Sequence, residues 1–279
     1  MDSSVIGTAL LFLTGLFSYQ GFRRSEYFEQ YLFEVDKILV DRQYYRLLSN
    51  AFLHGSWLHF GFNMIALLSF SWSLEILFGY GTFAIFYFGC LLGASLLSLY
   101  IHRQHGDYRM VGASGAISGV IFAAVVLFPE QPISFVLLPL EIPSWIMAIA
   151  FVAISILGIK KQAAYIAHEA HLGGALTGVF LTLLLRPAES LENWWIVMAI
   201  LLPSLFFLLL IIRNPAVLLI EDYWGEWRRS RPAPRTAPRV VRRSREEELN
   251  QLLEKIKAVG VERLSEAEKQ RLEQLTKEI

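Results

Sequence analysis

The fold class this sequence predicts is all-α, a polytopic membrane helix bundle, and three observations predict it. Hydrophobic residues make up 54% of the 279 and the mean hydropathy is +0.44, too apolar for an ordinary soluble domain. Several apolar runs reach or approach the roughly 20 residues that cross a bilayer. Although the formal net charge is zero, Arg and Lys crowd into the stretch after Arg213 while the runs are nearly free of them. The single cysteine, Cys90, lies inside an apolar run, so no intramolecular disulfide can form. The start of the chain lacks the basic leader and small-residue cleavage site of a secretory signal, and the Arg-rich character of a transit peptide. The first span is therefore expected to be retained.

In chain order, Val5 to Tyr19 is a short first span. Gly21 to Tyr45 mixes charges of both signs with Tyr27, Phe28, Tyr31, Leu32, Phe33, Ile38 and Leu39, which suits an amphipathic helix lying in the membrane interface. Arg46 to Phe78 contains the second span, from near His54 to near Glu75. Gly79 to Gly81 is a tight turn, and Thr82 to Ile101 is the third span. The fourth, Val111 to Phe128, is stopped by Pro129 and Pro132. Ile133 to Leu140 is apolar but bracketed by prolines, as an interfacial connection would be. Ser144 to Ile159 is the fifth span, Ile166 to Leu185 the sixth, and Asn193 to Ile212 a seventh.

This reading divides the chain into a six-span core (1–190), a seventh span (191–213), a basic Arg/Pro-rich linker (214–245) and a helical hairpin tail (246–279). The linker's composition predicts disorder, and its charge favours anionic lipid headgroups. In the tail, Leu249, Leu252, Leu253 and Ile256 form one stripe, Gly260 breaks it, and Ser265 with Glu268 offers a capping box for a second helix. Such a hairpin is expected to bind a protein partner, and no chemistry is assigned to it.

A polar side chain at membrane depth is costly and marks a functional candidate. The second span carries His54, His59 and Asn63, the fourth Ser114, and the sixth His168, Glu169 and His171. His59 and Asn63, four apart, share a helix face. His54 lies about 140° round from His59 and is expected at the helix mouth. Alternating connections bring the starts of the second, fourth and sixth spans to one side of the membrane. Two readings of Gly112-Ala113-Ser114-Gly115 compete. The small residues Gly115 and Gly119 have the four-residue spacing of close helix packing. A serine there is also a nucleophile if a base takes its proton, and His171 lies at matching depth. Both readings need close helix approach, which Gly174 and Gly178 supply from the sixth span. An oxyanion would be met by His59, Asn63 and the Ser114 backbone N–H. A metal is disfavoured: His168-Glu169-Ala170-His171 has one residue between Glu and the second His, where the zinc-protease helix needs two.

These residues resemble the rhomboid family of intramembrane serine proteases, over roughly His54 to Gly178 and back to Tyr45-Arg46. The carrying motifs are GxSG at Gly112 to Gly115, AHxxGxxxG at Ala170 to Gly178, and HxxxxHxxxN at His54, His59 and Asn63. The resemblance implies a six-span rhomboid-like catalytic core in which Ser114 is the nucleophile, His171 the base, and His59 and Asn63 the oxyanion donors. His54, Gly112, Gly115, Ser118 and Gly174 support them. Arg46 matches the arginine of the family's Trp-Arg loop motif, with Tyr45 in place of the tryptophan. Glu75 with Gly79 matches ExxxG, and both of these are read as structural. Some members carry a His-stacking aromatic four residues after the serine, where this chain has Ser118. His171 is then expected to be oriented by packing or by a hydrogen bond, with Ser118 a candidate.

The implied activity is hydrolysis of a peptide bond in or beside a transmembrane segment of a substrate protein, at a mouth rimmed by Phe28 to Leu39. No cofactor, metal or nucleic acid is expected, only transmembrane substrates and the lipid bilayer. The alternative is a catalytically silent adaptor that binds transmembrane helices. The lack of a transit peptide and the compact loops point to a bacterial inner membrane. The side of the tail is left open. A cytoplasmic start with seven spans puts it outside, where the dyad opens, whereas its basic charge favours the cytoplasm.

Overall fold

A computed structural model of the chain describes residues 4–135, 138–160, 167–213 and 245–277. Apart from Arg245, the expected basic linker lies outside the described residues. Two compact units are present, Met1–Trp224 and Gly225–Ile279. The first unit is a helical membrane bundle. Among the described residues, four helices are long and apolar enough to cross a membrane: α1 (Val5–Arg23), α5 (Trp57–Phe78), α6 (Tyr80–His102) and α11 (Trp194–Arg213).

The expected fourth, fifth and sixth spans form shorter helices: α7 (Ser114–Leu127), α8 (Ser144–Lys160) and α9 (His168–Leu185). α7 differs most from expectation. Its 14 residues rise about 21 Å, and it begins at Ser114 rather than Val111. Nearly every one of its side chains is buried, so protein rather than lipid surrounds it. It packs between α5, α6 and α9 in a core that includes Leu67, Phe83, Tyr87, Cys90, Ala116 and Val120.

Direction through the bundle alternates. The start of α1 sits against the end of α5, where the buried Glu75 carboxylate accepts from the Val5 N–H at 2.7 Å, the Gly7 N–H at 2.8 Å and the Ser4 hydroxyl. A carboxylate satisfying the free N–H groups of a helix N-terminus is favoured by hydrogen bonding and by the helix dipole. α11 runs back beside α9. Its start is held by Asn193, whose side-chain amide donates to the Val126 carbonyl (2.9 Å), and its far half, Phe207 and Ile211, packs with Ile101 and Leu172. Between α9 and α11 lies the short α10 (Pro187–Glu192).

The segment expected to lie in the interface as one amphipathic helix is instead broken into pieces. α2 (Ser25–Tyr31) stays on the surface, but the chain then turns inward as β1 (Phe33–Glu34) and α3 (Val35–Leu39). Phe33, Val35 and Ile38 are fully buried against Leu47, Leu99, Tyr108 and Met110. β1 pairs antiparallel with β2 (Arg109–Met110), Phe33 opposite Met110. Backbone hydrogen bonding makes burial of this segment affordable. Arg46, at the start of α4 (Arg46–Ser49), fastens it from below by donating to the carbonyls of Glu29 (2.9 Å) and Leu32 (2.6 Å). The proline-bracketed connection is also not featureless. It forms a hairpin of β3 (Pro132–Phe135) and β4 (Leu138–Pro143), so the bundle carries two small sheets that an all-α expectation omits.

In the second unit, α12 (Arg245–Val259) and α13 (Glu266–Lys277) flank Gly260. The capping box at Ser265 is formed in both directions. Glu268 accepts from the Ser265 N–H (3.0 Å) and Ser265 Oγ accepts from the Glu268 N–H (3.3 Å).

Candidate active site

Ser114 opens α7, and the local chain explains why. Gly112 adopts φ +122°, a backbone conformation that side chains rarely take, and its N–H donates to the Asn50 carbonyl at 3.0 Å. The first intrahelical bond runs from Ile117 N to Ala113 O (3.0 Å), and no side chain caps the helix. The N–H groups of the first turn thus have no intrahelical acceptor, and the positive end of the helix dipole is at the serine. That is where a developing oxyanion needs donors.

His171 stands in the first turn of α9, with its N–H bonded to the Ala167 carbonyl (3.2 Å). Its Nε2 lies 2.8 Å from Ser114 Oγ, within hydrogen-bond reach for proton transfer. To act as a base there, the imidazole carries its proton on Nδ1 and offers the Nε2 lone pair. The close helix contact that allows this comes from glycine. A Cβ on Gly174 would fall inside the carbonyl of Gly115, and one on Gly119 would lie 2.8 Å from the carbonyl of Gly174. Gly178 meets Gly119 one turn further on. Packing and reactivity are therefore two aspects of one contact between α7 and α9.

Ser56 caps α5 by accepting from the His59 N–H (3.1 Å), which sets the start of the second span after His54. The His59 ring lies over Gly112. A Cβ there would be 2.8 Å from His59 Cε1, so Gly112 serves both its turn and this contact. Asn63 is buried one turn below and donates to the His59 carbonyl (2.9 Å). His54 is fully buried at the mouth of α5, with Nδ1 3.0 Å from Ser18 Oγ and its ring 4.8 Å from that of His59. A cavity of about 10 Å³, room for roughly one water, touches Ser114 and is lined by Asn50, Ser95, Met110, Gly112 and Ala170.

Ser118 does not orient His171. Its hydroxyl donates to the Ser114 carbonyl at 2.8 Å, the back-bond a helical serine makes four residues behind itself. An aromatic neighbour comes from another helix, a contribution no local motif signals. Phe151 of α8 lies 5.7 Å from the His171 ring, tilted 38°, and Phe122 backs it at 5.3 Å. His168 places a second ring beside His171, at 6.1 Å.

Glu169 has a role that the sequence did not assign. Glu169 is 5% exposed, and its carboxylate accepts from the Tyr108 hydroxyl, with His102 Nε2 at 3.4 Å. The His102 and Tyr108 rings stack at 3.6 Å and 4°. Burial, then the Glu169 charge, push the Tyr108 phenol well above its ordinary value, so it stays a donor. The loop that carries Tyr108 is in turn bonded to the β1 region, Val35 N to Tyr108 O at 3.3 Å and Asp36 N to Gly106 O at 3.0 Å. This chain of contacts runs from the buried N-terminal segment to the turn of α9 that presents His171. Among the described residues, no three His, Cys, Asp or Glu are grouped to hold a metal ion.

With this geometry in hand, comparison with known proteins gives two family matches. The Rhomboid domain matches residues 41–188, and a family of unknown function, DUF6576, matches residues 239–278. Rhomboid protein 1, mitochondrial, of Saccharomyces cerevisiae is 33% identical over 136 residues, covering 48% of this chain and 39% of its own length. RHOMBOID-like protein 5 of Arabidopsis thaliana is 31% identical over 160 residues, 56% of this chain and 50% of its own length. Presenilin-associated rhomboid-like protein A, mitochondrial, of Danio rerio is 33% identical over 156 residues, 53% of this chain and 41% of its own length. The chain thus spans half or less of the length of these curated relatives.

Proposed function

Because the chain belongs to the rhomboid family, we propose that it is an intramembrane serine protease that hydrolyses a peptide bond in or beside a transmembrane segment of its substrate. The observation that carries this reading is the 2.8 Å approach of His171 Nε2 to Ser114 Oγ at the uncapped start of α7. His171 takes the Ser114 proton as Oγ attacks the carbonyl carbon. The tetrahedral oxyanion then meets the first-turn N–H groups of α7, with His59 and Asn63 beside them. Its collapse breaks the C–N bond, and the proton held by His171 passes to the leaving amine. A water deprotonated by His171 then attacks the acyl-enzyme, releases the carboxylic acid and restores the serine. The cavity lined by Asn50 and Ser95 is the right size to store one such water.

The test is labelling with a serine-reactive fluorophosphonate alongside cleavage of a reconstituted transmembrane substrate. Labelling and cleavage should both disappear in Ser114→Ala and His171→Ala. A wild-type chain that never labels, or a Ser114→Ala chain that cuts at the wild-type rate, would favour the silent adaptor. The protein is a multi-pass membrane protein. The finer location, a bacterial inner membrane, rests on the sequence alone, and two of the three relatives above carry mitochondrial names instead.

A further inference from the structure

Three successive residues just before α5, Phe52, Leu53 and His54, are each held by α1. The Phe17 ring packs on that of Phe52, with centroids 5.6 Å apart. At Gly21 an added Cβ would lie 3.1 Å from Leu53 Cδ2, so the bare glycine lets the chain come close. Between them, Ser18 Oγ donates to the Phe52 carbonyl at 2.9 Å and lies 3.0 Å from His54 Nδ1. Ser18 shares the buried face of α1 with Leu10 and Thr14, and His54 is fully buried.

These bonds fix the tautomer of His54. A serine hydroxyl has one proton, and a carbonyl can only accept. With that proton on the Phe52 carbonyl, Ser18 Oγ accepts from His54, so Nδ1 carries the hydrogen of the ring. Enclosed on all sides and bonded to no carboxylate, the imidazole is neutral, which leaves Nε2 as a bare acceptor. Among the described residues, that Nε2 is buried with no hydrogen-bond partner. The contact with Ser18 is therefore the side-chain hydrogen bond that sets both the rotation and the tautomer of this ring. Its ring neighbours are Phe60 at 5.5 Å and His59 at 4.8 Å, both edge to face. His59 in turn lays its Cε1–Nε2 edge over Gly112, with Nε2 3.0 Å and Nδ1 3.9 Å from where a Cβ on that glycine would be.

We propose that Ser18 is a positioning residue for the oxyanion site, acting through His54. This rests on the protease reading above. By accepting the Nδ1 hydrogen, Ser18 holds the His54 ring as a fixed wall against which His59 presents its Nε2 edge. Without the hydroxyl, the buried Nδ1 has no acceptor, the ring is free to turn, and either nitrogen can take the hydrogen. His59 then loses a fixed neighbour. The oxyanion needs a preorganised donor that bound substrate does not, so the loss falls on the transition state.

The test joins turnover to magnetic-resonance spectra of the ring nitrogens in the full, histidine-labelled chain. Cleavage rates are expressed per site labelled by fluorophosphonate. In the wild type, the signals that vanish in His54→Asn should show a protonated Nδ1 and a bare Nε2. Ser18→Ala should lower kcat roughly 10- to 100-fold with KM little changed, the upper figure being the cost of a displacement near 1 Å in such a site. Ser18→Thr, which keeps the hydroxyl, should recover most of that loss. A wild-type His54 protonated on Nε2, a Ser18→Ala chain with wild-type kcat, or equal losses in the two Ser18 variants overturns the proposal. If Ser18→Ala does not accumulate, variants of His54 decide. The Asn amide donates from near the position of Nδ1 and the Gln amide from near that of Nε2. His54→Asn should then outperform His54→Gln, and parity or the reverse order overturns the proposal. An absent dyad shows instead as no labelling of Ser114, while the ring spectrum reads the tautomer regardless, so the two failures are distinct.

Discussion

At Gly112, two constraints fall on one residue. Its φ of +122° strains any side chain, and a Cβ would lie 2.8 Å from His59 Cε1. Gly112→Ala should therefore displace His59 relative to Ser114, and a shift near 1 Å in such a site costs roughly 100-fold in rate. The expected readout is a fall in kcat with KM little changed, and an unchanged kcat would show that His59 is not held by this contact. Phe151 invites a parallel measurement. If it orients the base, Phe151→Ala lowers the rate of fluorophosphonate labelling while Phe151→Leu, which keeps bulk against the ring, recovers part of it. Equal losses in both would point to an aromatic requirement, and no loss in either would leave orientation to α9 alone.

Between elements, α7 and α9 meet through backbone. Gly174→Ala would drive a methyl into the Gly115 carbonyl, and overpacking of this kind costs typically 1–3 kcal/mol. Thermal unfolding in detergent should report that loss together with a longer Ser114–His171 distance and weaker labelling. The same helix is gripped from its other face by Tyr108 and Glu169, which should act as a unit. Combining Tyr108→Phe with Glu169→Ala is expected to destabilise no more than Glu169→Ala alone, and additive losses would refute the coupling. In the hairpin, the Lys255 ammonium and the Ser265 donors hold the Glu268 carboxyl down to about 2 from an ordinary 4.5. A depressed carboxyl contributes stability that is full above the unfolded value and is lost as pH falls through the folded one. Hairpin amide signals of the solubilised chain should therefore hold at pH 5 and weaken between about pH 4.5 and 2.

For the whole molecule, the division into two units bears on what the tail does. Ser114, His171, His59, Asn63 and their supports all lie before Trp224, in the first unit. A chain ending after Arg213 should then cleave a model substrate at the full-length rate when both are reconstituted at equal density. A drop in kcat would mean that the tail reaches the site. The Tyr108–Glu169 link shows why the first unit must be intact. The 33–38 segment, anchored by buried Phe33, Val35 and Ile38, the loop before Ser114 and the first turn of α9 are joined by hydrogen bonds, so the serine and the base are positioned by one connected body.

The sequence alone determined the membrane class and marked Ser114 and His171 as groups that the helices could bring together, because apolar run length and intramembrane polarity are local and costly signals. It also determined the α7–α9 contact, since paired glycines at four-residue spacing have few other uses in lipid. Only the tertiary structure decided that Phe33, Val35 and Ile38 are buried and 33–34 paired with β2, that Ser118 bonds its own helix, and that Phe151 packs beside the base while Glu169 binds Tyr108. The first and last of these depend on partners distant in the chain, which no periodicity encodes, whereas Ser118 takes the local bond four residues behind itself. The serine in Gly112 to Gly115 was legible from its motif, but the uncapped helix start that gives it donors became visible only when α7 proved to begin there.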